Sequence, residues 1–244
     1  MKILVVEDEE SIAAGLKFNF EQEGYEVDLY GDGPSALQAI ATDPVPYDLL
    51  VLDLMLPGMS GYEICRTIRE TNQDLPILVL SARTLSEDKV YAFDCGIDQY
   101  LTKPFALPEL LSRVRNLLDR RRRRPSAAQS VLSDRFAVGR AVVNFRTFEI
   151  LVEGQTHPLT TMEVELLRYF LQHEGAVLSR QRILKDVWDQ TAEISTRTVD
   201  NFVMRLRRYV EEDPSQPRHL LSVRGTGYRF VRTSIDGMNC ATSS

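Results

Sequence analysis

The feature that most limits what this chain can fold into is a series of five short apolar runs in its first half. They lie at residues 2–6, 25–30, 49–52, 77–80 and 99–101, and each is the length of one strand. Between and after them come stretches with apolar residues at helical spacing, at 11–22, 34–41, 62–70, 87–93 and 108–118. A strand that is apolar on both sides must be covered on both faces, and that is the condition of a parallel sheet. Five β-α repeats of this kind predict an α/β domain built on a five-stranded, doubly wound parallel sheet. The punctuation agrees with this reading. Gly24 follows the first helical stretch, Gly31-Asp32-Gly33 makes a turn, and Gly96 closes the stretch that begins at Glu87. Ser86, followed by two acids, is expected as a helix N-cap.

In such a sheet the carboxyl ends of the strands share one edge, and ligands bind there. Polar residues stand at those ends. Glu7-Asp8 follows the first run, Asp53 ends the third, Ser81 ends the fourth, and Lys103-Pro104 follows the fifth. Carboxylates gathered together repel unless a cation joins them, so Glu7, Asp8 and Asp53 point to a hard, oxygen-seeking ion such as Mg²⁺. Asp53 would then act as a nucleophile towards a phosphoryl group. The Lys103 ammonium and the Ser81 hydroxyl would meet the phosphoryl oxygens. No glycine loop that cradles phosphates is present, and an enzymatic output is not expected.

The 244 residues leave room for a second domain. The net charge of −6 is unevenly spread: residues 1–118 carry −11, whereas residues 125–244 carry +1. A nucleic-acid face in the second half would therefore be a local patch. Arg120 to Arg124, then Pro125 and a Ser/Ala/Gln stretch, reads as a solvated helix end running into a linker, with a DNA-contacting tail as the alternative for the arginine run. Residues 136–152 look like short antiparallel strands, followed by helical stretches at 161–173, 180–187 and 196–210. Residues 220–223 and 228–231 bracket Arg224-Gly225-Thr226-Gly227 as a hairpin. In the last helical stretch Val199, Phe202 or Val203, Leu206 and Val210 form a buried stripe. Arg197, Asn201, Arg205 and Arg208 recur on the opposite face, where basic and amide groups suit phosphates and base edges in a major groove. No apolar run approaches the ~18 residues that span a bilayer. The N-terminus lacks the pattern of a signal peptide. Cys65, Cys95 and Cys240 show no metal-ligand spacing. A cytoplasmic protein without membrane association is expected.

Val5-Val6-Glu7-Asp8-Glu9, Asp48-Leu49-Leu50-Val51-Leu52-Asp53-Leu54-Met55-Leu56-Pro57-Gly58, Leu80-Ser81-Ala82-Arg83 and Tyr100-Leu101-Thr102-Lys103-Pro104-Phe105 resemble the receiver domains of two-component signalling. Leu159-Thr160-Thr161-Met162-Glu163, Arg197-Thr198-Val199-Asp200 and Val223-Arg224-Gly225-Thr226-Gly227-Tyr228-Arg229-Phe230 resemble the winged-helix output domain of the OmpR/PhoB family. The resemblance implies a phosphoacceptor receiver at 1–120, a linker at 121–131, an α+β winged-helix DNA-binding domain at 132–233 and a flexible tail at 234–244. It implies that a sensor histidine kinase phosphorylates Asp53. Glu7, Asp8, Asp53 and the Met55 backbone carbonyl would bind Mg²⁺, Ser81 and Lys103 would contact the phosphoryl group, and Tyr100 would swing inward as a switch.

The DNA contacts implied are Arg197, Thr198, Asn201, Arg205 and Arg208 on a recognition helix near 196–211, and Arg224 on a wing at 224–228. A loop at 189–195 would face RNA polymerase. Phosphorylation would favour a homodimer through Lys89 with Glu109 and Asp94 with Arg115. Gln99 stands where relatives usually place an acid facing Arg113, and Phe202 and Met204 stand where relatives often carry polar or basic readers. The function implied is a two-component response regulator that controls transcription. A constitutive DNA-binding protein would lack an acid or the lysine at the strand ends, and a purely protein-binding module would not need the basic helix face.

Overall fold

In the computed structural model of the chain, residues 1–43, 46–122, 135–188 and 195–232 are described. They belong to two units, Met1–Pro125 and Ser126–Ser244. The linker expected at 121–131 lies outside the described residues beyond Arg122, as does the tail from 233 onward.

In the first unit, five strands pair in the order β2-β1-β3-β4-β5. They are β1 (Lys2–Val6), β2 (Glu26–Tyr30), β3 (Leu49–Asp53), β4 (Ile77–Ser81) and β5 (Gln99–Thr102). All four pairings are parallel. Every residue of β1, β3 and β4 is buried, as their apolar runs require, while the edge strand β2 is only partly covered. Four helices join the strands, α1 (Glu10–Gln22), α2 (Gly33–Thr42), α3 (Gly61–Thr71) and α4 (Ser86–Asp94), and α5 (Leu107–Arg122) follows β5. Leu16 and Phe20 of α1, with Leu110, Val114 and Leu117 of α5, pack on Ile3, Val5, Val51 and Leu80. The chain runs from β1 out to β2 and then back across to β3. That reversal opens a crevice at the carboxyl ends of β1 and β3.

Local chemistry explains the helix starts, with one correction. Asp32 caps α2 by accepting from Ser35 N at 2.8 Å, and Ser60 with Glu63 forms a capping box on α3. Ser86 is not a cap. It is the first residue of α4, Leu85 holds the cap position without a side-chain hydrogen bond, and Glu87 and Asp88 supply charge to the first turn.

Two polar clusters hold the opposite edge of the sheet. The buried Arg69 guanidinium donates to Gly96 O at 2.9 Å, Leu75 O at 2.7 Å and Asp98 Oδ2 at 3.0 Å. Asp98 Oδ2 also accepts from Ile77 N at 2.8 Å. Lys2 Nζ lies 2.6 Å from Asp43 and 3.0 Å from Asp28, and the Tyr47 hydroxyl donates to Asp28 at 2.7 Å.

The second unit is α+β. Four antiparallel strands, β6 (Arg135–Val138), β7 (Ala141–Asn144), β8 (Glu149–Val152) and β9 (Gln155–Pro158), form one sheet in sequence order. Three helices follow, α6 (Thr161–Gln172), α7 (Arg180–Trp188) and α8 (Arg197–Val210). A second sheet pairs β10 (Val177–Ser179), β12 (Gly227–Phe230) and β11 (Leu220–Val223), in that spatial order. This is the winged-helix arrangement. Strands β9 and β10 were not expected from the sequence. Strand β9 is an edge strand of mostly exposed polar residues with no apolar signature, and β10 is only three residues long. Gly227 is required where β12 crosses β10, since a Cβ there would lie 2.0 Å from Leu178 O.

Two outcomes follow from the clusters at the base of the first sheet. Arg69→Leu leaves the Asp98 carboxylate buried without its cation, which should cost about 3–5 kcal/mol in urea unfolding of the receiver unit. At Asp28, burial works against the charge, but the Tyr47 hydroxyl and the Lys2 ammonium outweigh it and hold the carboxyl below the ordinary carboxylate range. The folded value is thus lower than the unfolded one. The stability that Asp28 contributes is fully present above the unfolded value and is lost as pH falls through the folded one. Asp28→Asn should therefore destabilise at neutral pH and cease to do so at the acid end of a pH series of urea melts.

Candidate functional site

The carboxyl edge of the sheet gathers the polar residues that its topology directs there. Glu7 directly follows β1, Asp53 ends β3, Ser81 ends β4 and Lys103 follows β5. Lys103 Nζ lies 2.6 Å from Asp53 Oδ2 and 2.7 Å from Glu7 Oε2, joining strands at opposite sides of the crevice. Glu7, Asp8 and Asp53 each offer a carboxylate oxygen, and the three lie within 4.8 Å of one another. Glu7 and Asp53 are buried, and Asp8 is exposed. Glu7 Oε1 is buried with no hydrogen-bond partner in the protein. An all-oxygen cluster with one buried, unsatisfied carboxylate oxygen fits a hard divalent cation.

Burial pushes the Glu7 carboxyl up, against the pull of Lys103. Burial also opposes the charge on Lys103, but its hydrogen bonds to Asp53 and Glu7 outweigh that and raise it. Lys103 therefore stays an ammonium. Asp53 Oδ1 accepts from Met55 N at 2.8 Å, so Met55 meets the acceptor carboxylate through its N–H, and its side chain is exposed. Gly61 was not singled out by any sequence pattern. A Cβ there would lie 2.6 Å from Asp53 O, so the loop after β3 folds back on the acceptor strand only because the residue is glycine.

Ser81 is fully buried, and its Oγ accepts from Arg83 N at 3.2 Å. Tyr100 was expected to swing inward. It is already inside, 1% exposed, with its hydroxyl donating to Arg83 O at 2.8 Å.

The residues expected on a dimer face divide in two. Asp94 and Arg115 are exposed and Glu109 and Arg113 half-exposed. Lys89 and Gln99 are buried, at 6% and 2% exposure, and this corrects their expected place on the surface. Lys89 Nζ sits 5.7 Å from the Tyr100 ring centre, and Gln99 Oε1 accepts from Arg113 at 2.9 Å. Arg115 pairs with Glu23 of its own chain at 3.2 Å.

In the second unit, Val199, Phe202, Val203, Leu206 and Val210 turn one side of α8 into the core. The opposite side exposes Arg197, Met204 and Arg208, with Asn201 half-exposed. Two expected DNA contacts do not share that side. Thr198 is fully buried at the helix start. Arg205 lies over the Phe202 ring at 4.0 Å and faces Glu163 of α6 at 3.5 Å. One residue past an outward position turns a helix by about 100°, which carries Arg205 towards the core edge. Phe202 is also no reader, since it packs edge-on against Trp188 at 5.0 Å between ring centres.

Asp200 was part of the motif that carried the resemblance, but its role was not read from the sequence. It accepts from Arg180 Nε at 2.7 Å and from the Tyr228 hydroxyl at 2.6 Å, tying α8 to the start of α7 and to the hairpin. The only signal of that role was a lone acid among basic neighbours. Glu211 adds a second tie by accepting from the backbone N–H groups of Arg218, His219 and Leu220 at 2.7–3.2 Å. Arg224 is exposed in the turn between β11 and β12. Residues 189–194 of the loop expected to face RNA polymerase lie outside the described residues.

Known proteins share both halves. Residues 3–115 match the response regulator receiver domain, and residues 154–230 match the family described as transcriptional regulatory protein, C terminal. The sensory transduction protein RegX3 of Mycolicibacterium smegmatis is 38% identical over 230 residues, which cover 93% of this chain and 98% of that protein. RegX3 of Mycobacterium tuberculosis is likewise 38% identical, over 93% of this chain and 98% of its own. A solved response regulator, DrrB, described as a Thermotoga maritima OmpR/PhoB homologue, is 31% identical over 94% of this chain and 98% of that one, with a TM-score of 0.49. The chain belongs to the OmpR/PhoB-type response regulators.

A solved RitR mutant, 24% identical over 95% of this chain and 99% of that one, shares the fold with a TM-score of 0.71. This response regulator therefore joins a receiver to a DNA-binding domain. Among the described residues, no helix is long and apolar enough to cross a membrane.

The inward turn of Arg205 makes it a strut between α8 and α6. Arg205→Ala should lower the stability of the DNA-binding unit by about 2 kcal/mol, because Glu163 loses its cation in a largely buried setting. Thermal unfolding of the variant checks the loss.

Proposed function

We propose that this response regulator is switched by phosphorylation of Asp53 and that its phosphorylated dimer binds specific DNA to control transcription. The observation that carries the reading is the Lys103 ammonium in contact with both Glu7 and Asp53 at the carboxyl edge of the sheet. The donor is a phosphohistidine of a sensor kinase. An Asp53 carboxylate oxygen attacks phosphorus, the phosphorus–oxygen bond forms, and the phosphorus–nitrogen bond breaks with its electron pair returning to the imidazole. Glu7, Asp8 and Asp53, with the Met55 carbonyl, would hold Mg²⁺. When bound, Mg²⁺ supplies positive charge that offsets the phosphoryl oxygens. Lys103 pairs with one phosphoryl oxygen, and the Ser81 hydroxyl donates to another. Tyr100, already inside, keeps its hydroxyl on the loop after β4 and holds the inward arrangement in place.

In this reading residues 1–120 receive the signal, 121–131 link, 132–233 bind DNA, and 234–244 form a tail. Pairing of Asp94 with Arg115, and of Glu109 with Lys89 once Lys89 turns outward, would join two receivers. Arg115 must first leave Glu23. Two DNA-binding units held together bind adjacent sites at high effective concentration. Arg197 and Arg208 on α8 and Arg224 on the turn supply the positive charge for the phosphate backbone. The loop at 189–195 would meet RNA polymerase. The protein works without enzymatic output, in the cytoplasm.

Asp53→Ala should abolish labelling by a small phosphodonor in Mg²⁺. Acid-stable label on another residue would overturn the assignment. Removing Mg²⁺ with a chelator should lower the unfolding temperature of the wild-type receiver unit. A cation at a hundredfold its dissociation constant contributes about 2.7 kcal/mol. Asp8→Ala should shrink that difference, and excess Mg²⁺ should partly restore it.

A further inference from the structure

On α8 the three exposed side chains are Arg197, Met204 and Arg208. At 3.6 residues per turn the spacings of seven and four residues put them on one line, within about 40° of one another, with half-exposed Asn201 beside it. Arg205 and Arg207 have left this face. Arg205 turns to Glu163, and Arg207 donates to Leu220 O and to Ser222 Oγ at 2.9 Å. Met204 therefore stands in the middle of the outward face, 50% exposed, with a guanidinium beyond it at each end. Half of its surface is open to solvent in the free unit, and its neighbours along the line are the cations Arg197 and Arg208.

We infer that Met204 is a specificity residue that reads thymine, packing its thioether side chain against the 5-methyl group in the major groove. The inference rests on the reading of α8 as the helix that enters DNA. With Arg197 and Arg208 placed to meet phosphates, the middle of the line meets base edges. Every base pair presents donors or acceptors in the major groove, but thymine alone adds an apolar group. Methionine has no donor, and its sulfur is a weak acceptor. It cannot discriminate guanine, adenine or cytosine by a strong hydrogen bond, and it would leave their polar edges without a partner. Against the thymine methyl it removes apolar surface from water on both sides. Its unbranched, soft side chain adapts to the exact lateral position of that methyl. Each half of a dimeric site would then contain one thymine that depends on Met204.

The test uses the full-length chain and a randomised duplex DNA library. After selection of the preferred duplex, each thymine of a half-site is replaced in turn by deoxyuridine, which differs only by lacking the methyl group. For the wild-type chain, one replacement should weaken binding about fourfold, the effect of one buried methyl group. Met204→Ala should bind the thymine and deoxyuridine duplexes equally well. Met204→Gln should move the preferred base at that position away from thymine in a repeated selection. If no thymine replacement affects the wild type, or if Met204→Ala keeps the full fourfold difference, the inference is wrong while DNA reading by α8 stands. If the library yields no preferred sequence, the proposed DNA-reading function falls and the thymine contact with it. Met204 is exposed, so its variants retain the core. Unchanged thermal unfolding of Met204→Ala verifies that a binding difference is local.

Discussion

Three carboxylates whose oxygens lie within 4.8 Å of one another repel strongly, and in this chain one ammonium, Lys103 Nζ, joins two of them. Much of the receiver unit is arranged around that contact. Asp53 and Glu7 are brought together because β1 and β3 are neighbours although β2 comes between them in sequence. Lys103 reaches them from beyond β5, two strand spacings from Asp53 and three from Glu7. The buried strands make the site rigid and partly dry. That strengthens the attraction, and it also raises the cost of leaving any carboxylate oxygen unmatched. Glu7 Oε1 is such an oxygen, and it is the physical reason why this edge suits a hard cation.

The second unit solves a different problem. A recognition helix must present charge to solvent while a hairpin beside it keeps a defined angle. Here the helix is held from its core side by Phe202 against Trp188 and from its flank by Asp200, which joins Arg180 and Tyr228. Arg205 and Arg207 bind to neighbouring elements of the same unit, on Glu163 and on Leu220. Three of the helix's charged residues, Asp200, Arg205 and Arg207, are thus structural, and the face left for a ligand is narrower than its arginine content suggests. In the proposed reading, that narrowness is what gives Met204, the exposed methionine of α8, its importance.

Much of this was legible in residue patterns. The five apolar runs located β1 to β5 within a residue or two, and the carboxyl-end residues Glu7, Asp8, Asp53, Ser81 and Lys103 could be read from strand order alone. The helical period placed α6, α7 and α8. What failed to show was short or polar: β9 has no apolar alternation, and β10 has three residues. The Ser86 cap failed because a serine before acids fits either the cap or the first turn, and the backbone chose the latter.

The sequence by itself determined the fold class and the chemistry of the strand ends, because periodicity and residue type are local quantities. Only the tertiary structure decided which long side chains face outward. Arg205 and Arg208 look alike in sequence, and both fall on the polar side of a helical projection. Glu163 of α6, which the fold places 3.5 Å from Arg205, draws one of them in, whereas Arg208 remains exposed. Lys89 and Gln99 were assigned to a dimer surface by the family resemblance, yet both are buried, Lys89 near the Tyr100 ring and Gln99 bonded to Arg113. Long polar side chains choose among partners that come from distant parts of the chain, and burial decides between options that sequence spacing leaves equal.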